Sequence, residues 1–188
     1  MAELAQLSRD RRAYDSGSEN ANPHEAQSTI AIVTEIREAR AGEGPILAGV
    51  QERASVAALA HIFPPERYPY PREVVCARWV DAVAEPRMRT LIAVSSEEPV
   101  GAACVSEGWL DGLYVVPERW GTGLADELHG RALDLVRALG VPSCKLWVLE
   151  DNTRARRFYE RRGWRENGET RVVEFPPNPL DIGYTLDF

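Results

Sequence analysis

The stretch Leu113 to Ala125, LYVVPERWGTGLA, constrains this chain more than any other. An apolar run with the character of a strand meets Pro117, crosses a short turn and passes through two glycines into a long amphipathic pattern. Gly121 and Gly123 let the backbone bend with its N–H groups turned outward, and the helix that follows adds the positive end of its dipole. Such a corner suits a phosphate or pyrophosphate. An ordinary glycine turn is the alternative, and the strand-to-helix junction favours the anion site over it. The spacing also separates two phosphate-binding designs. A dinucleotide-binding turn needs G-x-G-x-x-G and a triphosphate loop ends in Gly-Lys-Ser/Thr. Neither occurs, and the only lysine in the chain is Lys145.

A length of 188 residues suits one core. No apolar run approaches the roughly 20 residues that cross a bilayer, and the N-terminus lacks a signal-peptide core. The expectation is therefore a soluble, cytoplasmic protein with no membrane partner. Cys76, Cys104 and Cys144 stand apart in apolar surroundings without metal-ligand spacing, which reads as buried free thiols and no metal site. A net charge of −7 argues against nucleic acid, which normally needs a basic face. It leaves an anionic cofactor open, because charges are screened beyond about 8 Å and only the groups around the phosphate matter.

Residues 1–28 are polar and aperiodic, which predicts a flexible N-terminal leader before a domain spanning 29–188. Thr29–Ile36 reads as a first strand and Gly42–Pro45 as a turn. Apolar residues at helical spacing predict helices over Ser55–Phe63 and Arg72–Ala84, with the proline-rich FPPERYPYP between them. Met88–Val94, Val100–Val105 and Trp109–Val116 read as three consecutive strands, the first two joined by a turn over Ser95–Pro99. Gly123–Leu139 is the clearest helix, with Leu124, Leu128, Leu135 and Leu139 on one stripe. Lys145–Leu149 returns as a strand. Asn152 can cap a short helix that Gly163 stops, and Trp164 onward and Ile182–Phe188 give two last strands.

With that order in hand, Trp120-Gly121-Thr122-Gly123-Leu124-Ala125 resembles the Gln/Arg-x-x-Gly-x-Gly/Ala pyrophosphate loop of the GNAT superfamily of N-acetyltransferases. Gly123 and Ala125 take the small-residue positions. Trp120 replaces the opening Gln/Arg, with Arg119 one place earlier. Downstream, Asn152 through Trp164 resembles the family's N-x-x-A-x-x-x-Y-x-x-x-G-[FW] segment. The resemblance implies an α/β (α+β) fold: a mixed, mostly antiparallel central sheet flanked by helices and splayed between its fourth and fifth strands. It also implies acetyl-CoA as cosubstrate, with Leu113, Tyr114 and Val115 pairing with the pantetheine amides. The loop of Gly121, Thr122, Gly123, Leu124, Ala125 and Asp126 would hold the pyrophosphate, and Asn152 the pantetheine arm while it caps its helix.

When an amine attacks a thioester, the departing thiolate needs a proton or a hydrogen bond. Tyr159 stands where its phenol could reach the sulfur, the alternative being a packed tyrosine whose hydroxyl meets solvent. The amine must itself lose a proton, and carboxylates that could assist are Glu107, Asp111, Glu150 and Asp151. Alternation puts Glu107, Trp109, Asp111 and Leu113 on one strand face, and Asp111 among apolar neighbours is the first choice of base. A bulge or turn at Asp111-Gly112 competes with that reading. LDGLYV also resembles the L-E-G-x-Y-V of family members that acetylate aminoglycosides. In the family the region of Phe63, Tyr68 and Tyr70 forms the acceptor side of the cleft, and Glu107 and Trp109 join them as candidate substrate contacts.

Trp147 stands where some protein N-terminal acetyltransferases of the family place a glutamate, which disfavours that subclass. His24, His61 and His129 read as surface or packing residues. Among Arg154, Arg156, Arg157, Arg161 and Arg162, one or two could meet the CoA phosphates. The expected function is transfer of an acetyl group to an amine, with the acidic balance pointing to a small cationic acceptor and a homodimer permitted. The alternatives are a non-catalytic acyl-CoA-binding regulatory module, or a family member that uses another acyl-CoA or a protein or aminoacyl acceptor.

Overall fold

The structure is a computed structural model and describes residues 34–188. The expected leader over 1–28, the first residues of the first strand and His24 lie outside them. Seven strands and four α-helices follow one another: β1 Thr34–Glu38, α1 Gly44–Leu59, α2 Arg72–Ala84, β2 Arg89–Ser95, β3 Glu98–Ser106, β4 Trp109–Val115, α3 Leu124–Arg137, β5 Ser143–Leu149, α4 Thr153–Glu160, β6 Arg165–Val172 and β7 Leu180–Asp187. A 3-10 turn over Pro117–Arg119 joins β4 to the glycine loop. The sheet runs β1-β2-β3-β4-β5-β7-β6 and is antiparallel except where β4 meets β5. This is the mixed sheet the resemblance implied.

Helices cover both faces of the sheet. Trp79 of α2 meets the Tyr114 ring edge-on at 6.1 Å, whereas a Cβ on Gly101 would touch Leu128 of α3. Gly101 pairs with Val115 and Ala102 with Tyr114, so these contacts come from adjoining rungs whose side chains point to opposite faces. The core is filled by Leu47, Val50 and Trp79 on one side and Leu128, Leu146 and Val136 on the other.

Two expectations change here. α1 begins at Gly44, eleven positions before the expected Ser55, because Pro45 in the first turn of the helix presets its geometry instead of marking a loop. Arg37 donates to both oxygens of Glu43, at 2.9 and 2.7 Å, and the Arg40 amide adds a third bond at 2.6 Å. These bonds fix the residue from which α1 starts. The buried stripe of α3 is Leu124, Leu128, Ala132 and Val136, spaced by four, with Leu135 only half-buried. Leu139 is exposed beyond the helix end.

Candidate active site

β4 and β5 share a single Cα pair, Trp109 with Lys145, supported by the Lys145 amide donating to the Gly108 carbonyl at 2.8 Å. Beyond that rung the strands part. Their facing edges have no ladder, and a channel opens along β4. Leu113, Tyr114 and Val115 of β4 line it, with Ala54, Ser55 and Leu59 of α1, and it continues past Trp120 and Ala125 to Asn152, Arg154, Phe158 and Tyr159.

At one end lies the glycine loop. Gly121 and Gly123 take φ of +75° and +89°, and nothing stands within 4 Å of a Cβ built on either. The requirement there is backbone conformation rather than space. On either side the amides are engaged: Trp120 N–H donates to Pro117 and Asp126 N–H to Gly123. The five amides between them, from Gly121 to Ala125, have no backbone acceptor among the described residues. They form a row of donors at the N-terminus of a 14-residue helix, where the dipole adds to their pull on an anion. Asp126, expected in this set, falls outside it: its N–H is engaged and its carboxylate is paired with Arg162. Leu124 contributes only its amide, since its side chain is in the core.

Trp120, which stands where the family loop opens with Gln or Arg, donates its indole N–H to the Val115 carbonyl at 2.7 Å. The Arg154 guanidinium lies 3.5 Å from the centroid of its ring. The other α4 arginines divide clearly. Arg156 is bound to Glu150, Tyr184 and Glu166, and Arg162 to Asp126 and the Phe158 carbonyl. Arg157 and Arg161 are exposed and line neither cavity. Arg154 alone of the five lines the channel, and partial burial pulls its pKa below the ordinary guanidinium value.

Asn152 accepts from the Ala155 amide at 3.2 Å and so caps α4 while lining the channel. Tyr159 is buried, with 8% exposure. Its hydroxyl has no protein partner among the described residues, and burial pushes the phenol well above its usual pKa. It stays protonated at neutral pH.

Asp111 occupies a bulge. Leu110 pairs with Val105 and Gly112 with Cys104, so Asp111 has no partner of its own and the simple alternation expected for the strand fails beyond it. Leu113 is therefore not on the face of Trp109. Gly112 is required because a Cβ there would meet the Tyr114 ring at 2.7 Å. The Asp111 carboxyl reaches solvent, yet protein surrounds enough of it that burial raises its pKa, against the smaller opposing pull of the Ser106 hydroxyl and its own backbone amide.

A second cavity of about 450 Å³ lies between α1, the 63–71 connection, α2 and the β6–β7 connection. Phe63, Tyr68 and Tyr70, the candidate substrate contacts, line it together. Glu107 and Trp109 do not. Glu107 is at the exposed tip of the tight β3–β4 hairpin, and Trp109 is stacked on Trp147 with 6.1 Å between ring centroids. Ser55 and Leu59 line both cavities, so the channel and this second cavity meet across one wall of α1. Sequence reasoning missed Arg78 and Phe175 in this lining. The sequence repeats Phe-Pro-Pro, at Phe63–Pro65 and again at Phe175–Pro177, but nothing in it says that the two meet or that Arg78 joins them.

His61 is a surface residue and His129 a packing residue. His61 Nε2 lies 3.0 Å from the Asp151 carbonyl, and His129 accepts the Trp164 indole N–H at 3.0 Å. Cys104 and Cys144 are buried and Cys76 half-buried, all free. Burial pushes the Cys104 and Cys144 thiols up to about 12.

This arrangement has clear counterparts. A family model described as Acetyltransferase (GNAT) family matches residues 54–164. An uncharacterized N-acetyltransferase of Mycobacterium tuberculosis is 33% identical over 97 residues, which cover 49% of this chain and 62% of that protein. A mycothiol acetyltransferase of Beutenbergia cavernae is 46% identical over 52 residues, 28% of this chain and 18% of its own. Among solved structures, the PaiA N-acetyltransferase from Thermoplasma acidophilum, in complex with coenzyme A, superposes with a TM-score of 0.63 at 18% identity, over 84% of this chain and 100% of that one. An acetyltransferase from Thermus thermophilus gives 0.62 at 18% identity, over 84% and 98%. The two superpositions speak to the fold alone. The family match runs from α1 to the residue after Gly163 and takes in the donor row, the splayed strands and α4: the chain belongs to the GNAT acetyltransferase family.

Proposed function

We propose that this protein is an acetyl-CoA-dependent N-acetyltransferase that passes an acetyl group directly to a primary amine. The observation that carries the reading is the row of unengaged amides from Gly121 to Ala125, opening on a channel that is also lined by the Tyr159 phenol. The diphosphate of coenzyme A takes the amide row, and Arg154 on Trp120 supplies the cation that the loop itself lacks. Leu113, Tyr114 and Val115 offer the open edge of β4 to the pantetheine amides, as to an added strand. Asn152 keeps its side-chain N–H₂ for the same arm while its oxygen caps α4.

The cosubstrate supplies an acetyl group activated as a thioester. An ordinary amine of pKa near 10.4 must shed a proton at pH 7, which costs about 4.6 kcal/mol. No carboxylate or imidazole lines either cavity. Asp111 takes that proton through water, and its raised pKa suits the task. A carbon–nitrogen bond forms and the carbon–sulfur bond breaks. Tyr159 passes its proton to the departing sulfur, which leaves as the thiol, and regains one through water from the nitrogen as the amide forms, with no acyl-enzyme.

Release of free coenzyme A from acetyl-CoA, screened across amine classes with succinyl-CoA in parallel, tests this. Amine-dependent release that falls in Tyr159→Phe is the expected result. Tight coenzyme A binding with no release from any amine would instead favour the non-catalytic acyl-CoA-binding module.

A further inference from the structure

The proposed transferase needs an acceptor, and the 450 Å³ cavity next to the channel describes one. Its volume lies in the range of small-ligand sites, roughly 300–1,000 Å³. Phe63, Tyr68, Tyr70 and Phe175 supply aromatic surface, and the two Phe-Pro-Pro segments face it from connections far apart in the chain. Its charged lining residues are Arg67 and Arg78, with no aspartate or glutamate among them.

Charge decides between acceptor classes here. A polyamine or aminoglycoside would bring several ammonium groups against two solvent-exposed guanidiniums without a carboxylate to meet them, so nothing in the lining compensates their charge. The acid beside Tyr70, Glu52, is already bonded by Arg72 at 2.5 Å. The arginines are placed but not used up. Arg67 lies 5.6 Å from the Tyr68 centroid and Arg78 5.2 Å from the Phe175 centroid. A cation–π contact of this kind holds the guanidinium beside the ring and leaves its N–H fork available. Neither arginine forms an ion pair among the described residues. The Tyr70 hydroxyl is buried beside Ser55 without hydrogen-bond geometry to it, a polar atom lacking a partner at the wall shared with the channel.

We propose that the acceptor is a primary amine on an apolar or aromatic body that also bears a carboxylate, with amino acids of large apolar side chain as the simplest members of the class. The body fills the aromatic cavity, the carboxylate meets Arg78, and the amine enters the channel beside Ser55 and Tyr70. The proposal rests on the transferase reading and replaces the small cationic acceptor that net charge alone had suggested.

The test compares matched pairs: L-phenylalanine with phenethylamine, L-leucine with isoamylamine, and spermidine as the polycation. Coenzyme A release should give kcat/KM at least about tenfold higher for each amino acid than for its decarboxylated partner, with spermidine below both. Arg78→Gln should collapse that ratio about tenfold, mainly through KM, and a ratio read within one enzyme is insensitive to a general loss of folded protein. Equal or better turnover of spermidine or the decarboxylated amines, or an unchanged ratio in Arg78→Gln, overturns the proposal and leaves the transferase reading standing. Calorimetric binding of N-acetyl-L-phenylalanine in the presence of coenzyme A gives a readout independent of turnover. Binding that is lost in Arg78→Gln, without release of coenzyme A from any amine, would keep the acceptor class and overturn the catalytic reading. Failure of N-acetyl-L-phenylalanine to bind would overturn the acceptor class.

Discussion

Tyr159 and His129 stand 6.2 Å apart, ring centroid to ring centroid, in a cluster with Phe158 and Trp164, and burial acts on both to opposite numerical effect. It favours the neutral form of each, so the phenol titrates above its usual range and the imidazole is pulled down to about 4. For Tyr159 the consequence is chemical. Tyr159→Phe should lower kcat about 10²-fold while coenzyme A affinity stays near that of the parent, as measured by steady-state turnover and calorimetry. For His129 it is stability. An unfolded histidine binds its proton below about 6.5, and the folded one only below about 4, so between these values the unfolded chain binds more protons. Stability should therefore fall as pH drops from about 6.5 to about 4, by on the order of 3 kcal/mol. Urea melts across that window check this, and His129→Gln should flatten the slope. The sequence showed Tyr159 through its motif. It could not show His129 as an aromatic-cluster member, because Trp164 is distant in sequence and only the fold makes it the donor.

At the level of elements, the loop leading into α3 was legible because its requirement is local. Two glycines at positive φ between a strand and a helix turn five amides outward whatever surrounds them. α2 was equally plain, its bounds agreeing with Arg72–Ala84, since the apolar spacing and the preceding prolines say the same thing. α1 was half lost, since a Gly-Pro pair opens helices as well as turns. The bulge in β4 was visible only as an alternative, because alternation cannot reveal where a strand inserts a residue. The Trp120–Arg154 stack joins two motifs that the sequence displays separately. Arg154→Ala should weaken coenzyme A binding about tenfold, the effect of losing one charge-assisted contact to phosphate. Trp120→Ala should follow it in the same direction, and calorimetric Kd values would show whether the two losses are less than additive, as a shared contact requires.

At the level of the whole molecule, the order of elements and the mixed sheet followed from the sequence, whereas the full lining of the second cavity did not. Its walls come from α1, the 63–71 connection, α2 and the β6–β7 connection, and nothing local announces that two Phe-Pro-Pro segments will meet. Coenzyme A bound across the channel would touch β4, α1, the loop and α4 together, so it should stabilise the protein as a unit. At 100 times Kd the gain is about 2.7 kcal/mol, and a rise of several degrees in Tm is expected in thermal melts. The parting of β4 from β5 beyond Trp109 has one more consequence. Backbone hydrogens along the divided edge have no strand to shelter them, and deuterium should replace them quickly in the free protein. Adding coenzyme A should slow that exchange along Leu113–Val115 while leaving the already laddered β2–β3 pair nearly unchanged, making the seam itself a time-resolved reporter of occupancy.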